Sequence, residues 1–259
     1  MSLELLQGLT VINTRPLIRS EELHAQLDAL AVHRIHLPAI SIVCCDDFNE
    51  ANALRLIEDS DMIIVTSANT IPFLTDAVLA ALQKKPLFAV GRSTASCLKR
   101  SGCIVSHYPE HASSQALLDL PELRSVDNKR ILICCGEDPK PLLKDMLQQR
   151  GALVNYLYCY RRINVPSYSN EDLMLLQNRE AQVVLSFSLQ SLQAFFSASR
   201  CLPRDVLSHY HFVVINQAMR SYCLEQGCSS VSLADSAMTT DVVNVLQTWW
   251  YKFREKQLQ

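Results

Sequence analysis

The chain has 259 residues, 49% of them hydrophobic and 19% charged, which is the balance of a globular protein with one large domain or two of ordinary size. Its net charge of −2 gives no basis for a nucleic-acid partner. No apolar run reaches the roughly 18 residues that a membrane span needs, and the first residues do not resemble a signal peptide. We therefore expect a cytoplasmic protein with neither a nucleic-acid nor a membrane partner.

The ten cysteines do not indicate disulfides or a metal site. The adjacent pairs Cys44-Cys45 and Cys134-Cys135 lie in strand-like runs, and no C-x-x-C motif occurs. The seven histidines show no ligand spacing, since His107 and His111 are separated by a proline that breaks helical geometry. We expect reduced, mostly buried thiols, histidines in surface or loop positions, and no metal.

Predicted strands and helices alternate along the chain. Runs rich in β-branched residues predict the strands, and apolar residues at helical spacing predict the helices between them. The predicted strands and extended runs are residues 9–14, 34–45, 62–65, 87–90, 103–106, 130–135, 153–165, 183–185, 212–215 and 230–233. This alternation predicts parallel sheets with right-handed crossovers.

Residues 62–69 (MIIVTSAN) are the clearest candidate for a ligand-binding edge. Their apolar part does not alternate with polar residues, which is typical of a strand buried on both faces. Thr66, Ser67 and Asn69 follow at its carboxyl end, where an α/β sheet binds its ligands. These side chains can donate hydrogen bonds, and the helix that follows offers unpaired backbone N–H groups.

The two halves of the chain repeat each other with a period of about 120 residues, too long for a solenoid. The matching segments are residues 11–15 with 132–136, 33–40 with 153–160, 65–67 with 186–188, 88–102 with 213–227, and Ser114 with Thr239. Because the order of five elements is kept, we interpret the repeat as a duplicated α/β unit that forms two lobes.

Two long extended stretches occur at equivalent points of the repeat. Residues 34–45 are interrupted by Pro38, which suits an edge or a connector, and residues 153–165 are their partner. Each stretch is too long for a simple loop between a strand and a helix. They are the candidates for the two connections between the lobes.

Several short motifs resemble those of the uroporphyrinogen-III synthase family, in the same order from end to end. Each motif is weak alone, but their order and spacing are specific. The motifs are Thr14-Arg15-Pro16, Pro38, Thr66-Ser67, the V-G-x-x-T-A run from Val90 to Ala95, Ser113-Ser114 before Leu-Leu, the glycine loop that begins at Gly136, and G-A-x-V at Gly151 followed by Tyr160-Arg161-Arg162.

The resemblance implies an architecture of two similar lobes, each a parallel sheet flanked by helices, joined by two antiparallel connecting strands. Lobe one would hold residues 1–37 and 166–259, lobe two residues 42–160, and the connectors residues 38–41 and 161–165, with the active-site cleft between the lobes. The family acts as a monomer on a small molecule.

The resemblance also implies a reaction. Hydroxymethylbilane, a linear tetrapyrrole, loses water and closes into uroporphyrinogen III with the last pyrrole ring inverted, a step of haem biosynthesis. In water alone it closes without inversion, giving isomer I. A lyase of this kind must assist departure of the hydroxyl and position the chain, and it requires no metal or organic cofactor.

The resemblance assigns catalytic roles to Tyr160 and Thr66. The phenol of Tyr160 would donate a hydrogen bond to the departing hydroxyl, although a reference pKa of about 10 makes it a poor general acid. Thr66 would contact a pyrrole N–H. The residues expected to bind the substrate, mostly its carboxylates, are Arg15, Pro38, Ser67, Asn69, Gly91, Arg92, Thr94, Ser113, Ser114, Gly136, Lys140, Ser188 and Asn216. For most of them the alternative role is helix capping or core packing.

The second half departs from the first at three positions of the repeat. Phe187 stands where Thr66 has its hydroxyl, and Asn216 and Met219 replace the glycine and threonine of the first half. We therefore expect lobe two to supply more of the polar contacts, and Met219 to pack in the core.

Two other functions remain open. A non-catalytic two-lobed protein that binds or senses an anionic ligand would fit the same fold, and turnover distinguishes it from the synthase. A phosphosugar or nucleotide enzyme is disfavoured, because the sequence has neither a G-x-G-x-x-G motif nor a P-loop.

Overall fold

The structure, a computed structural model, describes residues 6–17, 20–178 and 182–257. It divides into two compact units, residues 1–41 with 163–259 and residues 42–162. The strands are β1 (Thr10–Asn13), β2 (His33–His36), β3 (Ile40–Cys44), β4 (Met62–Val65), β5 (Leu87–Ala89), β6 (Arg130–Gly136), β7 (Leu153–Asn164), β8 (Val183–Leu185), β9 (His211–Val214) and β10 (Val231–Leu233).

The helices lie between the strands in sequence. They are α1 (Glu21–Ala29), α2 (Glu50–Glu58), α3 (Asp76–Leu82), α4 (Arg92–Arg100), α5 (Ser114–Leu118), α6 (Pro121–Arg124), α7 (Leu142–Gln149), α8 (Asn170–Gln177), α9 (Leu189–Ala198), α10 (Arg204–Ser208), α11 (Gln217–Glu225) and α12 (Thr239–Gln257). A 3₁₀ helix, Ala68–Phe73, precedes α3 and contains Pro72. That proline explains why the segment is not regular α-helix.

The first unit contains a parallel sheet with the order β10-β9-β8-β1-β2. Its central strands β9, β8 and β1 are covered on both faces, because successive residues of one strand enter different cores. On β9, Phe212 and Val214 belong to one apolar cluster and Val213 belongs to the other. Strands buried on both faces have continuous apolar sequences, as the predicted strands do.

The second unit has the order β3-β7-β6-β4-β5, in which β7, β6, β4 and β5 are parallel. The edge strand β3 is antiparallel to β7, as the backbone bonds Cys45 N to Cys159 O and Val165 N to Ala39 O indicate. Both faces of this sheet are also buried. The predicted fold class is confirmed, with β3 as the strand that departs from parallel pairing.

The sheet orders agree with the internal repeat. The repeat pairs β1 with β6, β2 with β7, β4 with β8 and β5 with β9, and the paired strands occupy equivalent places in the orders β9-β8-β1-β2 and β5-β4-β6-β7. Each unit therefore takes two of these four strands from the first half of the chain and two from the second. In each sheet the strand order reverses at one point, between β1 and β8 and between β6 and β4.

Three sequence-based predictions need comment. The strand predicted at residues 103–106 is wrong, because these residues form no strand and only the next residue, His107, makes an isolated bridge to Phe88 of β5. All ten cysteines are free and seven of them are buried, as predicted. The prediction that all histidines lie on the surface or in loops is wrong for His211, which begins β9 with only 4% of its surface exposed.

Candidate active site

The carboxyl ends of β4 and β6 meet at the strand reversal of the second unit. Thr66 follows β4, and both its backbone N–H and its hydroxyl donate to the carbonyl of Cys134 on β6, at 3.1 and 3.3 Å. A hydroxyl that donates to the protein offers a ligand only its acceptor lone pairs. Thr66 is therefore suited to a ligand N–H rather than to a carboxylate.

Ser67 caps the 3₁₀ helix that follows. Its Oγ accepts a hydrogen bond from the backbone N–H of Asn69 at 3.2 Å, so its own O–H hydrogen remains to donate to a ligand. Asn69 is 1% exposed, and its Nδ2 has no partner among the described residues. Ser67 and Asn69 were both predicted to bind the substrate. The structure joins them in one cap, in which the side chain of Ser67 accepts from the backbone N–H of Asn69.

Tyr160 lies directly over Gly136. A Cβ atom added at Gly136 would be 2.8 Å from Cζ and 3.1 Å from the hydroxyl oxygen of Tyr160, which no side chain tolerates without movement of the ring. The ring is 5% exposed and stacks near Phe73, with 6.4 Å between the ring centroids. Within the described chain, its hydroxyl makes no hydrogen bond. A close approach of β6 to Tyr160 thus explains why glycine ends β6.

Gly91 and Thr94 lie at the start of α4, after β5. The backbone of Gly91 is extended, with φ 178°, which any residue can adopt. Glycine is needed here for lack of space, because an added Cβ would be 3.0 Å from Cα of Ala112 and closer still to its Cβ. Thr94 is 4% exposed. A ligand would therefore contact the backbone N–H groups of this first turn rather than the side chain of Thr94. Arg92 is exposed beside them.

The remaining predicted groups of the second unit lie on nearby loops. Ser113 caps α5 by accepting from the N–H of Ala116 at 3.0 Å, and Ser114 is the first residue of that helix. Lys140 is exposed in the loop after β6. Arg161, on β7, forms an ion pair with Asp46 in the turn after β3, at 2.9 Å.

At the strand reversal of the first unit, the side chain of Arg15 stacks on the ring of Phe187. The hydroxyl of Thr14 donates to the carbonyl of Leu185 at 2.8 Å. The guanidinium carbon of Arg15 lies 3.6 Å from the ring centroid of Phe187, and Nη2 of Arg15 donates to the carbonyl of Ala237 at 3.2 Å. Phe187 thus supports the arginine by a cation–π contact, which accounts for the departure from threonine at this position.

Ser188 and Asn216 cap the helices that follow β8 and β9. Ser188 accepts from the N–H of Ser191 at 3.1 Å, and Asn216 Oδ1 accepts from the N–H of Met219 at 3.0 Å. The side chain of Met219 is fully buried. Pro38 is half-buried between β2 and β3.

A polar cluster beside Arg15 was not predicted from the sequence. Asn13, at the end of β1, bonds to Ser20 at 2.9 Å and to His24 at 3.0 Å, and its Oδ1 accepts from the N–H of Arg15. His36 Nε2 contacts the carbonyl of Arg15 at 2.8 Å. The pKa of His24 is lowered first by burial and then by the charge of Arg34. The cluster fixes the backbone from which Arg15 extends.

Each of the two α/β units is doubly wound and carries hydroxyl groups and helix N-termini around its strand reversal. This arrangement is typical of proteins that bind small anionic molecules at the carboxyl edge of a sheet. The family model described as "Uroporphyrinogen-III synthase HemD" matches residues 21–244. The chain belongs to the uroporphyrinogen-III synthase family, and the resemblance drawn from the sequence is confirmed.

Curated relatives and solved structures agree with this assignment. The chain is 29% identical to uroporphyrinogen-III synthase of Escherichia coli over 246 residues, which cover 92% of this chain and 100% of the relative. The Proteus mirabilis enzyme is 26% identical over 73% of this chain and 98% of its own length. In fold, the chain is similar to uroporphyrinogen III synthases of Helicobacter pylori (TM-score 0.59, 14% identity, 93% and 99% coverage) and Thermus thermophilus (TM-score 0.51, 19% identity, 96% and 100% coverage).

Proposed function

We propose that this chain is a uroporphyrinogen-III synthase, a cyclising hydro-lyase of porphyrin and haem biosynthesis. It removes water from hydroxymethylbilane and closes the tetrapyrrole with the last ring inverted. The observation that carries the proposal is the group of Tyr160, Gly136 and Thr66 at a strand reversal, in a chain whose family match extends over residues 21–244.

Tyr160 is the proposed donor to the departing hydroxyl. Its O–H is not engaged by another described residue, and the ring is fixed by burial and by Phe73. A positioned phenol stabilises the leaving oxygen by one hydrogen bond, at little cost of reorganisation. The glycine at position 136 lets the backbone lie close to that hydroxyl.

Thr66 is the proposed acceptor for a pyrrole N–H. Its hydroxyl hydrogen is directed to Cys134, which leaves an oxygen lone pair for the substrate. Holding one pyrrole in place restricts which carbon of the last ring meets the reacting methylene carbon. Positioning of this kind favours inversion over direct closure.

The carboxylates of the substrate require local donors, because the protein as a whole has a charge of −2. We assign this role to the backbone N–H groups at the start of α4, to the hydroxyls of Ser67, Ser113 and Ser188, and to exposed Arg92 and Lys140. Hydrogen bonds from N–H groups and cations to carboxylates are stronger than neutral ones.

We further propose that the substrate binds at the carboxyl ends of the sheet strands, and that the protein works as a cytoplasmic monomer. The support is that both units carry their polar groups at the carboxyl ends of their strands. No helix in the described residues is long and apolar enough to cross a membrane. Light scattering after size-exclusion chromatography tests the monomer against the chain mass of 29.2 kDa.

An isomer assay tests the function directly. Hydroxymethylbilane is generated in place, the protein is added, and the uroporphyrin isomers are separated after oxidation. We expect an excess of isomer III over the isomer I that forms without enzyme. Isomer I alone, from protein shown to be folded by circular dichroism, would refute the synthase and leave the non-catalytic binder.

A further inference from the structure

A cavity of about 530 Å³ lies in the first unit, away from the candidate active site. Gln182 precedes β8, His211 begins β9 and Ser230 precedes β10, and all three line the cavity. The cavity is therefore at the amino ends of these strands, whereas Arg15, Ser188 and Asn216 lie at the carboxyl ends of the same sheet. Its volume is within the range of small-molecule sites.

A buried imidazole lines this cavity with one nitrogen unpaired. His211 is 4% exposed, its Nδ1 is 2.8 Å from Oγ of Ser230, and its Nε2 has no hydrogen-bond partner in the described part of the chain. Burial lowers the pKa of His211 to about 4, so the ring is neutral at pH 7. This nitrogen itself has almost no accessible surface, so a ligand in the cavity would meet the neutral ring and not this atom.

One wall of the cavity is a stack of flat rings. The imidazole of His211 lies on the indole of Trp249, with 4.3 Å between centroids and 9° between planes. The indole in turn stacks on Phe253 at 4.9 Å and 23°. Another flat ring can pack against such a wall in an offset or edge-to-face contact.

Two cations stand at the same wall. Lys252 and Lys256 are four residues apart on α12, and hence on one face of the helix. Both are exposed, neither forms an ion pair with a described acidic residue, and the described lining of the cavity contains no acidic side chain. The charge at this wall thus favours an anion.

The side chains of α12 that line the cavity lie outside the family match. Trp249, Lys252, Phe253 and Lys256 all follow residue 244, at which the match to the family model ends. The cavity therefore depends on a helix that extends beyond the region common to the family model. A role there is separate from the proposed synthase reaction.

We propose that this cavity binds a small flat aromatic acid. The ring of the ligand packs on Trp249 and Phe253, and its acidic group lies between Lys252 and Lys256. Binding is reversible and involves no covalent step.

The test is a titration of the full chain with 2-naphthoate, followed by calorimetry and by tryptophan fluorescence. The chain has two tryptophans, both on α12, and Trp249 lines the cavity, so a change in emission reports on this helix. We expect saturable binding of one naphthoate per chain with a change in emission. The uncharged analogue 2-naphthalenemethanol, which keeps the ring and loses the charge, should bind about three- to tenfold more weakly, since each exposed charge contact contributes modestly.

The variant Lys252→Gln with Lys256→Gln should weaken naphthoate binding by a similar three- to tenfold factor. Arg254→Gln is the matched control, because it removes one positive charge from the same helix turn without lining the cavity. It should leave the dissociation constant unchanged, and all variants should keep the isomer III activity of the parent. Absence of saturable binding to folded protein at about 1 mM naphthoate, or equal weakening by the double variant and the control, would overturn the proposal without affecting the proposed function.

Discussion

Replacing Tyr160 by phenylalanine removes one oxygen atom and leaves the buried ring in place. The hydroxyl makes no hydrogen bond to another described residue, and the packing against Gly136 and Phe73 involves the ring. The free energy of unfolding should therefore change by less than about 1 kcal/mol, since no protein partner is left unpaired.

The expected effect on the rate follows from the role given to the hydroxyl. One neutral hydrogen bond contributes about 0.5–1.5 kcal/mol, which corresponds to a loss of about 2- to 13-fold in the rate of isomer III formation. A residue that delivered a proton in the transition state would contribute about 10²–10⁴-fold instead. We predict the smaller loss, because a phenol with a reference pKa of about 10 is a weak acid at neutral pH.

The measurement is the initial rate of isomer III formation, with urea unfolding of the same preparations. Tyr158→Phe is the matched control, because Tyr158 lies on the same strand, is 41% exposed and pairs with Cys135 rather than with Gly136. It should keep the parental rate. Two results would refute the reasoning for Tyr160→Phe: an unchanged rate, which makes the tyrosine purely structural, or a loss beyond about 100-fold in folded protein, which makes it the proton donor.

Three further predictions concern stability and the two units. Gly136→Ala should lower the free energy of unfolding by about 1–3 kcal/mol, because the new methyl group overlaps the tyrosine ring; an unchanged urea midpoint would contradict the close contact. Thr66→Ala with Ser67→Ala should raise KM for hydroxymethylbilane more than Ser188→Ala does, and equal effects would argue against an uneven contribution of the units. Burial lowers the pKa of His211 to about 4. Between about pH 6.5 and 4, therefore, His211 is protonated in the unfolded chain and neutral in the folded chain. Stability should fall by up to about 3 kcal/mol as the pH falls through that window, and His211→Phe should reduce this slope in urea titrations; an identical slope would refute the assignment.

The sequence determined the local structure around the site. A serine or asparagine placed just before a helical run predicts a helix cap, and Ser67, Ser113, Ser188 and Asn216 all cap the helices that follow them. These predictions succeed because a cap bonds to backbone N–H groups only two or three residues away. The duplicated sequence also indicated two similar lobes, and the two sheets do have equivalent strand orders.

Contacts between distant segments were decided by the tertiary structure alone. Tyr160 meets Gly136 because β6 and β7 are neighbours, and Arg15 meets Phe187 because β1 and β8 are neighbours across the strand reversal. His211 is buried because α12 covers the start of β9 with Trp249. No pattern within one segment records which segment will lie beside it, so the sequence determined which groups end each strand, and the pairing of the strands determined which of those groups meet.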